Sequence, residues 1–174
     1  METLFFDKVR DLKKELNNLQ ERLNVALTLK GKQLIIEGEA YSEYEAAHVL
    51  EAVQFGFSIK KALLLLDEDN IFRSIPIKSF TRRKYLHEVR ARIIGKEGKT
   101  KRALENISNC EILVREKDNQ VGIIGSAINI HGATTALTNL IRGSKQANVY
   151  AFLERLNAIK KDKDKDLGLK IKNN

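Results

Sequence analysis

The chain has 174 residues, 43% hydrophobic and 31% charged, with a net charge of +8. That content supports one domain or two small ones, and no apolar run approaches the ~18 residues of a membrane span. The lone cysteine, Cys110, excludes an internal disulfide framework and fits a reducing cytosol, so a cytoplasmic location is expected.

At the N-terminus, Met1-Glu2-Thr3-Leu4-Phe5-Phe6-Asp7 lacks the basic region and small-residue cleavage site of a signal peptide. Asn24-Val25-Ala26-Leu27-Thr28-Leu29 begins a segment that recurs later in the chain. Phe57 to Asp69 then reads as a short helix capped by Ser58, burying leucines between two halves. Ile71 to Phe80 is an extended candidate, and the single proline, Pro76, suggests an edge position or a strand start. Tyr85, Leu86, Val89 and Ile93 follow at helical spacing. After a glycine-bearing turn, Ala103, Leu104 and Ile107 continue that spacing in a short second helix. Cys110 to Arg115 reads as a strand, Lys117-Asp118-Asn119 as a hairpin turn, and Val121 to Gly125 as the returning strand. Ile130, Ala133, Ala136, Leu137, Leu140 and Ile141 mark a long amphipathic helix ending near Gly143. A final helix carries Val149, Phe152, Leu153, Leu156 and Ile159. Residues 161–174 alternate charge and then turn polar, which predicts a frayed or disordered tail.

The order from residue 71 onward is βααββα plus one helix. An internal repeat precedes it. Asn24 to Leu29 parallels Asn109 to Val114, Gly38 parallels Gly125, and Ala46, Leu50, Val53 and Gly56 parallel Ala133, Leu137, Leu140 and Gly143. The first copy therefore holds the later helix–strand–strand–helix elements, and too few residues precede them for a full first strand and helix.

The turn Ile93-Ile94-Gly95-Lys96-Glu97-Gly98-Lys99-Thr100 carries most of the functional signal. Glycine reaches positive φ cheaply and lets another backbone approach. The amides opening the next helix add partial positive charge. A lone GXXG is weak, since roughly one is expected by chance in a chain of this length. Gly122-Ile123-Ile124-Gly125 is such a match, wholly apolar and strand-like, and it reads as structural. Charge separates the two. Residues 1–70 carry 9 Lys/Arg against 13 Asp/Glu, whereas residues 71–174 carry 22 against 10. Eleven basic residues crowd 73–102, opposed only by Glu88 and Glu97. A basic field around a bare glycine turn is the footprint of a nucleic-acid site.

KH domains clamp single-stranded RNA with a GXXG loop of this kind, and βααββα is the eukaryotic-type, or type I, order. The chain is thus read as α+β, with two KH-like units in tandem. Residues 1–57 form a degenerate unit in which Arg10 and Lys13 replace the glycines. Residues 58–70 form a linking helix, and residues 71–160 a type I KH domain with an extra C-terminal helix. Gly95 and Gly98 shape the clamp, with Lys96 and Glu97 at its tip. Lys99, Lys101 and Arg102 neutralise phosphates, and Arg90 and Arg92 approach from the preceding helix. Two roles are open to Ile93, Ile94, Ile112 and Val114: a groove floor for bases, or ordinary core packing. Arg82-Arg83-Lys84 either extends the phosphate track or is merely solvated.

The chain resembles the archaeal and eukaryotic partner-of-Nob (Dim-two) KH proteins that help mature the small ribosomal subunit. The resemblance rests on Phe57-Ser58 with Lys61 to Asp69, on Arg92 to Thr100 and on Ile123 to Ser126. It continues through Asn139 to Gly143 and Val149 to Arg155, covering roughly residues 55 to 157. It implies binding near the 3′ end of small-subunit ribosomal RNA within the pre-ribosomal particle, and cooperation with a PIN-domain maturation nuclease. No enzymatic role, cofactor, metal or membrane partner is expected.

Other classes fit less well. Gly98-Lys99-Thr100 ends like a P-loop, but that motif needs a glycine where Ile93 stands, and the preceding stretch is helical. His48, His87 and His131 are scattered, so no metal-ligand spacing appears. A general messenger-RNA regulator and a protein-docking scaffold remain the alternatives.

Overall fold

Leu12, Leu19 and Leu23 recur at helical spacing and are buried along one face of α1 (Arg10–Leu23). This is the first long element of a computed structural model that describes residues 2–7 and 9–166. The chain divides into two units, Met1–Phe72 and Arg73–Asn174. In the first, α1 lies between β1 (Glu2–Phe5) and β2 (Ala26–Lys30), followed by β3 (Gln33–Glu37) and α2 (Ala40–Phe55). The strands are antiparallel in the order β1-β3-β2, and Leu34 of the central strand stands opposite Leu4 and Leu29. Leu34 and Ile36, two residues apart, point to the same buried face.

The expectation that too few residues precede α1 for a full first strand and helix is corrected in part, since the short strand β1 forms and no further helix lies between it and α1. Four residues suffice, because Phe6 N–H donates to the Lys32 carbonyl (2.8 Å) and Gln54 Nε2 to that of Phe5 (2.7 Å). The linking segment is α3 (Ile59–Ala62) followed by a 3-10 turn over Leu63–Leu66. Ser58 sits at its N-cap, but the carbonyl oxygen does the work, accepting from the Lys61 and Ala62 amides. None of the four leucines is fully buried, and Leu64 is 44% exposed.

The strand that crosses the boundary between the units, β4 (Asn70–Pro76), is an edge strand of a sheet ordered β4-β6-β5, and Pro76 ends it. A 3-10 turn over Ile77–Phe80 leads towards α4 (Leu86–Ile94), the turn Lys96–Gly98 and α5 (Lys99–Ser108). Strands β5 (Glu111–Arg115) and β6 (Gln120–Ser126) pair antiparallel, with Ile112 opposite Ile123 and Val114 opposite Val121. Helices α6 (Ala127–Arg142) and α7 (Gln146–Asp166) complete the unit. This is the predicted βααββα order with one added helix. Its core gathers Ile75, Ile77, Val89, Ile93, Leu104, Ile112, Ile123, Ile130 and Leu137.

The repeat extends to individual bonds. Asn24 and Asn109 end α1 and α5 in the left-handed conformation, with φ 52° and 51°. Gln20 Oε1 accepts the Leu27 amide at 2.9 Å, as Glu105 Oε1 accepts that of Ile112 at 3.0 Å. Both units also share the sheet order in which the last strand lies between the other two.

The predicted tail is partly helical. Helix α7 runs on through Asp166, and the remainder of the expected tail lies outside the described residues. Val149 and Leu153 bury one face of α7, Asn157 Nδ2 donates to the Ile107 carbonyl (2.6 Å), and Lys160 Nζ donates to Asn129 Oδ1 (2.7 Å). The helix is therefore fastened to both α5 and α6.

Gly122 and Gly125 lie within β6. A Cβ on Gly125 would fall 2.5 Å from Cys110 Sγ, so that glycine makes room for the buried thiol. Burial pushes the Cys110 thiol up, which keeps it a neutral packing group. Gly125→Ala is expected to cost about 1–3 kcal/mol through overpacking, with Cys110→Ala in the same chain recovering part of it. Urea unfolding followed by circular dichroism measures both, and a Gly125→Ala midpoint equal to wild type would contradict the packing account.

Candidate nucleic-acid interface

Helix α4 ends because Gly95 leaves the helical region at φ 73°, ψ 175°, its amide still donating to the Ala91 carbonyl at 2.8 Å. That conformation is essentially reserved for glycine. Space imposes a second demand. A Cβ on Gly95 would fall 2.1 Å from Thr100 Oγ1 and 2.8 Å from the Thr100 amide nitrogen. Thr100, Leu104 and Ser108 follow at four-residue spacing and form the buried face of α5. The threonine is thus turned inward beneath the loop.

Gly98 is different. Its φ is 73° and ψ 12°, and nothing lies within 4 Å of the point a Cβ would occupy. Between the glycines, Lys96 and Glu97 are exposed, and Glu97 itself holds φ 53°. Arg102 Nη2 donates to the Glu97 carbonyl at 2.6 Å and so braces the tip from the first turn of α5. The Gly98 and Lys99 amides donate to the Gly95 and Lys96 carbonyls within the loop, and the positive end of the α5 dipole beyond them suits an anion.

The α6–α7 corner holds both stems of this loop. Before it, Arg92 Nη2 donates to the Gly143 and Ser144 carbonyls at 2.9 and 2.5 Å. After it, Gln146 Nε2 donates to Thr100 Oγ1 at 2.9 Å. Arg92 is therefore engaged with the carbonyl end of α6. Arg90 donates through Nη1 to Asn119 Oδ1, on the hairpin between β5 and β6, where Asn119 has φ 54°.

The remaining predicted site residues divide by exposure. Lys96, Lys99 and Arg102 are exposed. The Lys99–Glu97 ion pair spans 3.9 Å with both side chains about 70% exposed, and such a pair is worth little. Lys101 pairs with Glu105 at 2.7 Å, its side chain 25% exposed, so its charge is largely compensated. Ile93 and Ile112 lie in the core at 0% and 2% exposure, while Ile94 and Val114 are half-buried and reach the surface. Two residues that support the loop, Thr100 and Gln146, escaped sequence reasoning. Thr100 could have been found from the inward spacing of α5. Gln146, 46 residues further on, had no signal.

In the first unit the projected positions Arg10 and Lys13 fall inside α1, so no turn exists there. Among the described residues, no group of three or more His, Cys, Asp or Glu could hold a metal ion, and no helix is long and apolar enough to cross a membrane.

Residues 71–158, just over half the chain, match a family model described as the eukaryotic type KH-domain, KH-domain type I. The chain is 32% identical to an RNA-binding protein pno1 of Ixodes scapularis, over 78% of this chain and 62% of that one. It is 30% identical to a pre-rRNA-processing protein pno1 of Emericella nidulans, over 83% and 57%. It is also similar to a chain in the crystal structure of an a/eIF2alpha–aDim2p–rRNA complex from Pyrococcus horikoshii. That match has a TM-score of 0.78 and 28% identity, covering 92% of this chain and 94% of that one. The chain spans about half the length of the curated relatives it matches.

The two glycines should respond unequally to alanine. Gly98→Ala costs only the left-handed backbone penalty, about 1–2 kcal/mol. Gly95→Ala adds a collision with Thr100, and overpacking of that kind costs roughly 1–3 kcal/mol more. Denaturant midpoints measure the difference, and equal losses would contradict the two roles.

Proposed function

Because the chain belongs to the Pno1/Dim2 family of KH-domain ribosome assembly factors, we propose that it binds ribosomal RNA during assembly of the small subunit. It holds single-stranded RNA near the 3′ end and cooperates with a PIN-domain maturation nuclease. The observation that carries this reading is the open space over Gly98, framed by the exposed Lys96, Lys99 and Arg102. A sugar–phosphate chain can approach the backbone there without displacing protein. The cations neutralise phosphates, and the positive end of the α5 dipole favours the remaining negative charge.

Base contacts come from beside the loop. Ile94 and Val114 offer half-buried aliphatic surface, which suits bases laid flat and read through backbone hydrogen bonds. Ile93 and Ile112 support that surface from beneath. Arg90 and Arg92 act through position, Arg90 tying α4 to the hairpin at Asn119 and Arg92 fixing the stem of the loop. Lys101, paired with Glu105 and half-buried, adds less charge to the RNA than Lys99 or Arg102. The protein then acts by presenting or shielding a strand for the nuclease, making and breaking no bond itself. The 3′-end target and the nuclease rest on the family resemblance.

Gly98→Asp tests this directly, because the position is open and aspartate tolerates the left-handed conformation. The added carboxylate should lower affinity for a fluorescent RNA carrying the small-subunit 3′-terminal sequence by about tenfold or more, with the circular dichroism spectrum unchanged. Unaltered affinity in a folded variant would favour a protein-docking scaffold. Lys96→Ala and Lys99→Ala should each flatten the slope of log affinity against log salt by roughly 0.7. Crosslinking in cells, with the bound fragments sequenced, tests the target. Reads scattered over messenger RNAs would argue for a general KH regulator.

A further inference from the structure

The connection between the Ile77–Phe80 turn and α4 is exposed and basic. Arg82, Arg83 and Lys84 all face solvent and make no ion pair with a described residue. The Arg83 amide donates to Thr81 Oγ1 at 3.2 Å, which fixes the bend. Tyr85 follows at 57% exposure, and its ring lies 5.9 Å from that of His87 in an edge-on arrangement. Core packing does not account for an aromatic pair left in water beside three cations.

Helix α4 connects this pair to the glycine turn. Val89 and Ile93 face the core, Arg90 reaches the hairpin, and Arg92 reaches the α6–α7 corner. His87, Ala91 and Ile94, at steps of four and three, form one outward stripe. It ends beside Gly95 and runs about 10 Å back along the helix. Ala91 leaves that stripe low enough for a strand to lie on it, and Glu88 is the one acidic group on the exposed first turn.

We propose that Tyr85 and His87 form a base-stacking platform, with Arg82, Arg83 and Lys84 as its phosphate contacts. This platform extends the RNA site along α4 beyond the nucleotides held at the glycine turn. The inference rests on the RNA-binding reading above. Its ligand is single-stranded RNA of any sequence, since every base presents a π-face to an aromatic ring.

The test uses the full chain and end-labelled RNA pools of random sequence, four and ten nucleotides long. A KH clamp fills four nucleotides, so only the longer RNA reaches the platform. Tyr85→Ala and His87→Ala should weaken binding of the ten-nucleotide pool by roughly 5- to 150-fold and leave the shorter pool unaffected. Tyr85→Phe should keep wild-type affinity because the ring remains. Arg82→Ala, Arg83→Ala and Lys84→Ala should each reduce the salt slope by roughly 0.7 for the longer pool alone. Unchanged binding of the longer pool by Tyr85→Ala, the result for a surface serving a protein partner, would overturn the platform. Equal losses on both pools would overturn it too. If the wild type binds neither pool and Gly98→Asp changes nothing, the clamp itself fails and the platform with it.

Discussion

The absence of a side chain on Gly95 decides the shape of the second unit's functional end. Thr100 occupies the space a Cβ would need, and the two residues can approach only because one of them is glycine. From that contact the rest follows. Thr100 sits on the inward face of α5, so its hydroxyl must be satisfied within the protein, and Gln146 at the start of α7 satisfies it. Arg92 ties the other stem to the carbonyl end of α6. The added C-terminal helix is therefore part of the loop's support. With both stems fixed from the inner side, the outer side at Gly98 stays open for a ligand. One glycine closes the protein against itself, and the other leaves it open to solvent.

The repeat makes the same point by contrast. Both units keep the left-handed asparagine after the helix, the side-chain bond to the following strand and the sheet order. These features hold a helix against a sheet, which both units need. The glycine turn serves no such purpose. In the first unit Arg10 and Lys13 lie in continuous helix where the second unit has its turn. Helix propensity closes the site with no loss to the sheet behind it.

Much of this was legible in the sequence because it rests on spacing. Val89 with Ile93, Leu104 with Ile107, and the Ile130-to-Ile141 series fix α4, α5 and α6 through a helical period. The alternation of β5 and β6 around Lys117-Asp118-Asn119 fixes the hairpin. The second GXXG was recognisable as structural from its apolar surroundings, and its glycine does accommodate Cys110. What stayed hidden depends on contacts across the chain. Arg92 approaches the turn from the preceding helix, as its position in the sequence suggests, but the two carbonyls some fifty residues later that engage it leave no trace in the sequence. Ile93 and Ile94 are neighbours of the same type, and only the fold buries one and half-exposes the other. Strand β1 was missed because four residues carry too short a pattern to read. Helix α7 outlasted its apolar stripe because alternating charges do not oppose helix.

Hydrogen exchange of the full chain, measured by mass spectrometry with and without single-stranded RNA, tests the central claim most directly. The account predicts that RNA slows exchange across residues 95–102, around the open side of the turn at Gly98, and leaves α1 in the first unit unchanged. Slowing confined to α1, with 95–102 exchanging as before, would contradict it.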